Sequence, residues 1–274
     1  MCSSDLVLLP ELSSAASEPP PPQGPPPPRR AVADYYEAAR TPIASLLFVL
    51  PFLAIYEVGV RLGGPSALVT RNPADTWMRL RLLEAGYTRP WMLPTLVVGT
   101  LLAWELVRHV RADSQAHLNG RLWVGMLTES VVTAWVLVLL GQACGMAMKI
   151  SGLMSLSGSA AGPAEWAAAC VGAGLYEETL FRLWGLPAIY LAMRAFLVPR
   201  KVSAVIAVIT SSLLFAAAHY VHADLKISAE LLFGFGFRCL AGGVFAGLLM
   251  YRGFGVAVGA HVIYDATVLL LMAA

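Results

Sequence analysis

Apolar residues in this chain gather into long uninterrupted runs, about Ile43–Leu62, Trp91–Val107, Leu122–Met148, Ala164–Gly185, Ser203–Val221, Leu231–Met250 and Gly255–Met272. Runs of about 17–25 residues match the length of helix that crosses a hydrocarbon core. They are continuous, whereas a membrane β-barrel strand alternates with a period of two. The pattern therefore predicts an all-α fold, a polytopic integral membrane bundle of seven helices. The piece Pro187–Leu197 is too short to cross alone and gives an eighth only if it does not continue the fourth span. Pro51 falls inside the first run and should kink it without breaking it, because neighbouring helices can satisfy the freed carbonyl. Between the first two runs, Pro73–Arg89 mixes Arg79, Arg81 and Glu84 with Trp77, Met78, Leu80, Leu82 and Leu83, which suits a helix lying in the interface plane.

The N-terminal stretch has a different character. Proline runs at Pro19–Pro22 and Pro25–Pro28 favour an extended, solvated chain, and a short amphipathic piece, Val32–Arg40, follows. Residues 1–40 are accordingly expected as a disordered Pro-rich tail, and 41–274 as one transmembrane domain. No basic region precedes Val7, so no secretory signal is expected.

Composition agrees with the pattern. Hydrophobic residues make up 58% and charged residues 13%, against roughly 25% charged in soluble domains. The net charge of +2 comes with no Lys/Arg cluster, so nucleic acid is not an expected partner. The lipid bilayer is. Cys2, Cys144, Cys170 and Cys239 share no CxxC spacing, and three of them lie in apolar runs, where they read as small buried residues. The Ala, Gly, Leu, Val and Arg bias points towards a bacterial source, hence a multi-pass protein of the inner membrane. Counting Lys and Arg in the loops gives about ten inside against about seven outside when the N-terminus is inside.

Against this background Glu177-Glu178-Thr179-Leu180-Phe181-Arg182 stands out, because charges in an apolar helix are expensive and mark functional sites. Glu178 and Arg182, four apart, share a helix face and can neutralise each other. Glu177 is rotated about 100° from Glu178 and is left without that partner. A desolvated carboxylate can take up and release a proton, as a general base must. His219 closes Phe215-Ala216-Ala217-Ala218-His219, and His261 and Asp265 lie four apart in the last run. Two histidines and carboxylates from three helices are the inventory for activating water, directly or through a bound metal. Phe215 reads as packing against such a site, and His222 as interfacial.

Glu-Glu-x-x-x-Arg, Phe-x-x-x-His and His-x-x-x-Asp/Asn, in that order, resemble the motif set of the CPBP intramembrane proteases, which include type II CAAX prenyl proteases and bacterial abortive-infection and bacteriocin-immunity homologues. The resemblance covers about Ala164 to Met272; Tyr56-Glu57 in the opening span also looks like bacterial members. It implies an endopeptidase acting on membrane-associated polypeptides. Glu177 and His219 would activate the attacking water, His261 and Asp265 would stabilise the oxyanion, and Glu178 and Arg182 would support Glu177. CAAX proteases carry Asn where this chain has Asp265. An ionised Asp cannot donate to an oxyanion, so Asp265 must be protonated, must accept from His261, or must bind a metal. The zinc-dependent alternative, with His219, His261 and Asp265 as ligands, stays open, although no HExxH is present and no cofactor is favoured. A non-catalytic immunity or scaffold protein of the same fold, or an ion-coupled transporter, are the other readings.

The remaining intramembrane charges are expected to pair as Glu57 with Arg61, Glu105 with Arg108, and Glu129 with Arg238. Gly243-x-x-x-Gly247 and Gly255-x-x-x-Gly259 are expected to bring the last two spans into tight contact.

Overall fold

A computed structural model describes residues 28–62, 71–111, 118–143, 163–221 and 228–273. Helices α1 (Pro28–Ala39), α2 (Pro42–Leu62), α3 (Pro73–Glu84), α4 (Met92–Arg111) and α5 (Gly120–Ala143) make up the first part. The next helical run is continuous from residue 163 to 195. It begins as α6 (Pro163–Gly172), passes through π-helical turns at Ala173–Glu177 and Thr179–Gly185, and ends as α7 (Leu186–Ala195). Helices α8 (Arg200–Ala218), α9 (Ala229–Arg252) and α10 (Phe254–Ala273) complete the bundle. No strand occurs among the described residues.

Six of these helices are long and apolar enough to cross a membrane: Pro42–Leu62, Met92–Arg111, Gly120–Ala143, Arg200–Ala218, Leu231–Arg252 and Phe254–Leu271. The protein is a multi-pass helical membrane protein. The expected span at Ala164–Gly185 lies in the run that turns π-helical, and Pro187–Leu197 continues that run as α7 instead of standing apart. Pro51 leaves α2 helical throughout.

The amphipathic piece expected in the disordered tail is helical. Helix α1 occupies Pro28–Ala39, and its Tyr35, Ala38 and Ala39 pack with Leu122 and Met126 of α5 and Val256 of α10. Residues 1–27 lie outside the described residues, as does His222. Thr41 then caps α2. Its hydroxyl accepts from the Ala44 amide at 3.2 Å, and Pro42 takes the first helical position, where no amide is needed.

Helix α10 is the hub. It packs on α5, α9, α2 and the first π turn, and Phe254, Val256, Ala257, Val258 and Ala260 are fully buried. Two of its glycines allow this, although their partners differ from those expected. A Cβ on Gly255 would come within 2.8 Å of Met126 and 3.1 Å of the Ser45 backbone, and one on Gly259 within 2.6 Å of Ser130. These glycines therefore face α5 and α2, not α9. Gly247 has open space, and the close approach on α9 is made by Gly242, against Ser212 of α8. Gly253, with φ +95°, makes the reversal between α9 and α10.

Candidate active site

The site grows from the π-helical run. Gly174 lets it press against α10: a Cβ there would lie 2.5 Å from Val262 Cγ2 and 2.7 Å from the Val262 amide nitrogen. π turns recur at functional sites, where they re-aim side chains. Here Glu177 and Glu178 are consecutive, and both enter one cluster with residues from α8 and α10.

Glu178 and Arg182 lie at its floor, both fully buried, with Nη1 3.3 Å from Glu178 Oε1. Arg182 Nη2 also donates to the Gly242 carbonyl at 3.1 Å, and the guanidinium sits 4.2 Å over the Phe215 ring. The expected support pair is present, and Glu178 has a second task. His261 Nδ1 lies 2.8 Å from Glu178 Oε1. A carboxylate paired with a guanidinium is an acceptor only, so Nδ1–H donates and His261 Nε2 is turned the other way. Phe245 stacks on the imidazole at 4.6 Å.

His219 caps α8, and its Nδ1 lies 2.8 Å from the Phe215 carbonyl. A carbonyl only accepts, so Nδ1 carries the proton and Nε2 is the free face. The two Nε2 atoms converge on the same oxygen: Glu177 Oε2 is 3.7 Å from His219 Nε2 and 3.9 Å from His261 Nε2. Asp265 Oδ2 is 3.6 Å from His261 Nε2. None of these is a direct hydrogen bond, and Glu177 Oε2 is buried without a hydrogen-bond partner. His219, at 28% side-chain exposure, forms the open side of the cluster, and Glu178 and Arg182 its closed side. Phe215 meets His219, His261, Phe181 and Phe245 edge-on.

One neighbour of the cluster escaped sequence reasoning. Asn72 Nδ2 donates to Glu177 Oε1 at 2.9 Å. Behind it, Glu57 pairs not with Arg61 but with Arg79 at 2.8 Å and accepts from Tyr176 Oη at 2.9 Å. Arg79 and Arg71 both hold Asp75, at 2.6 and 2.7 Å, and Tyr56 Oη donates to the same carboxylate at 2.7 Å. The alternation of Arg79 and Trp77 along α3 is the trace such a network leaves: Asp75, Met78 and Arg79 face the bundle, while Trp77, Leu80 and Leu83 are outside. Nothing in the sequence marks Asn72. Elsewhere, Glu105 and Arg108 pair as expected, whereas Glu129 pairs with Arg252 at 3.2 Å, and Arg238 instead donates to Tyr220 Oη at 2.9 Å.

As ligands for zinc, His219, His261 and Asp265 do not form a set, since Asp265 approaches only the His261 nitrogen. Among the described residues no group of three His, Cys, Asp or Glu side chains is arranged to hold a metal ion.

The fold and cluster define a class: a multi-pass helical membrane protein in which carboxylates and imidazoles from three helices meet beneath an apolar wall. Residues 159–267, the segment that carries all three motifs, match the family described as type II CAAX prenyl endopeptidase Rce1-like, in agreement with the resemblance to CPBP proteases read from those motifs. No curated protein and no solved structure matches the chain.

Proposed function

We propose that this protein is an intramembrane endopeptidase that hydrolyses membrane-associated polypeptides, in a bacterial inner membrane, without a bound metal. One observation carries the reading: an unsatisfied carboxylate oxygen, Glu177 Oε2, faces the free Nε2 of two histidines at 3.7 and 3.9 Å. A polar contact longer than about 3.5 Å around a buried acceptor is where a bound water is to be sought.

Glu177 takes a proton from that water as its oxygen attacks the scissile carbonyl carbon, with His219 Nε2 accepting the water's second hydrogen bond. The carbonyl oxygen becomes an oxyanion facing His261 Nε2 and Asp265. With Nδ1–H given to Glu178, His261 can donate from Nε2 as the imidazolium, and Glu178 supplies its counter-charge. Asp265 contributes as the protonated acid, the form that can donate. Glu177 then passes its proton to the leaving nitrogen, and the C–N bond breaks. Phe215 packs on the His219 imidazole and Phe245 on that of His261, so both rings have an apolar side.

Membrane peptidomes of cells carrying wild type, Glu177→Ala or His219→Ala test this. Cleavage products present in wild type and lost in both variants, at equal protein levels, are the expected result. Identical peptidomes would instead identify the chain as a non-catalytic protein of this fold.

A further inference from the structure

The Glu177 side chain has one direct hydrogen bond among the described residues, and its donor lies outside both the motifs and the family-matching segment. We propose that Asn72 is a positioning residue for Glu177, a proposal that rests on the reading of Glu177 as the general base. Asn72 is itself 7% exposed and held at three points. Its Oδ1 caps α3 by accepting from the Ala74 amide at 2.8 Å. Its own amide donates to Tyr56 Oη at 3.2 Å. Pro73 fixes the backbone that follows. With Oδ1 committed to the cap, the amide can present only Nδ2 to Glu177, so the donor's identity is set by the helix start.

The consequence for Glu177 is rotational. A carboxylate on a long, partly exposed side chain has several rotamers, and the one adopted here turns Oε2 towards both imidazoles. Asn72 ties Oε1, and Oε2 is thereby aimed. The residue before it is tied as well, since Tyr176 Oη donates to Glu57. Two successive side chains of the π turn are thus anchored to the α2–α3 unit. In that unit Asp75 and Glu57 are balanced by Arg71 and Arg79, so the network of these four side chains carries no net charge. Gly172 brings the two parts together: a Cβ there would lie 2.3 Å from the Tyr56 ring and 3.2 Å from Asn72 Cβ.

The test separates positioning from capping. Serine and aspartate cap a helix about as well as asparagine, but Asn72→Ser cannot reach Glu177, and Asn72→Asp replaces the donor with an acceptor. Both variants are purified as full-length protein in nanodiscs and assayed on an internally quenched peptide carrying the cleavage site mapped by the peptidome comparison. Thermal unfolding of Asn72→Ser should match wild type, whereas Asn72→Asp should melt lower because it sets a second carboxylate against Glu177. In both, kcat should fall on the order of 10²-fold with KM unchanged, as for a misplaced catalytic group. Wild-type kcat in Asn72→Ser overturns the proposal. Glu177→Gln is the control for the reading beneath it: retained cleavage there refutes the general base and not the Asn72 contact. Infrared difference spectra supply a readout independent of turnover. The carboxylate band assigned through Glu177→Gln should shift in Asn72→Ser, and an unshifted band would overturn the proposal whatever the activity.

Discussion

Replacing Arg182 by Met tests whether the floor of the site is a single electrostatic unit. The guanidinium is fully buried, pairs with Glu178 at 3.3 Å, donates to the Gly242 carbonyl and lies over Phe215. Methionine fills much of the same volume but leaves the Glu178 carboxylate facing only His261. Removing one member of a buried ion pair costs about 3–5 kcal/mol. At about 2–4 °C per kcal/mol for a chain of this size, the melting temperature should fall by roughly 6–20 °C. Glu178→Gln alone should also destabilise, because it strands the arginine. The double variant Arg182→Met/Glu178→Gln removes both charges, and replacing a whole buried pair by neutral groups is often close to neutral. It should therefore be more stable than either single variant, so the coupling energy in the double-mutant cycle must exceed the cost of the costlier single substitution. Its activity should stay low, since a neutral amide no longer supports a charged His261. Thermal unfolding in detergent, followed by tryptophan fluorescence, reads all four proteins. A double variant no more stable than the worse single one, or an Arg182→Met protein that melts with wild type, would refute the reasoning.

Asp265→Asn should keep most of the cleavage activity, because an amide can donate to the oxyanion in place of a protonated acid, while Asp265→Ala should lose it. An inactive Asn variant together with stoichiometric zinc in the purified wild type would reverse that assignment. Gly174→Ala should destabilise by about 1–3 kcal/mol, because its Cβ meets the Val262 backbone beside His261, and should lower turnover with it. Gly247→Ala, in open space on α9, should be neutral or stabilising by about 0.5–1 kcal/mol, and a pair of melting curves compares the two.

What the sequence reveals here, and what it hides, follows from the range of the interactions. Long apolar runs report the bilayer directly, so the helical bundle is legible from hydropathy alone. Glu177, His219, His261 and Asp265 are equally visible, because each is an expensive residue in an apolar setting, and the structure brings all four together. Partner choice is another matter. Glu57 sits four residues from Arg61, and local spacing favours that pair, but Arg79 reaches it from another helix with Tyr176 on the other side. Glu129 finds Arg252, at the end of α9, through tertiary packing with no sequence trace. The π turns hide for a related reason. The Glu178–Arg182 spacing reads as one α-helical turn, and only the packing of Gly174 against α10 shows where the winding widens. Asn72 is a polar residue before a proline, like many helix starts, and its second role exists only once Glu177 arrives from 105 positions away.

The opening-span network gives the molecule a property that its motifs do not convey. The three motifs lie within one contiguous stretch, yet the oxygen that would do the chemistry is aimed from residues 56–79. The working unit is therefore not modular at the boundary its motifs suggest. A graft of residues 159–267 onto another set of leading helices would carry every signature residue and still lack the abutment that steadies Glu177. Chimeras that move Tyr56 through Arg79 along with that stretch are the ones that transfer a complete site.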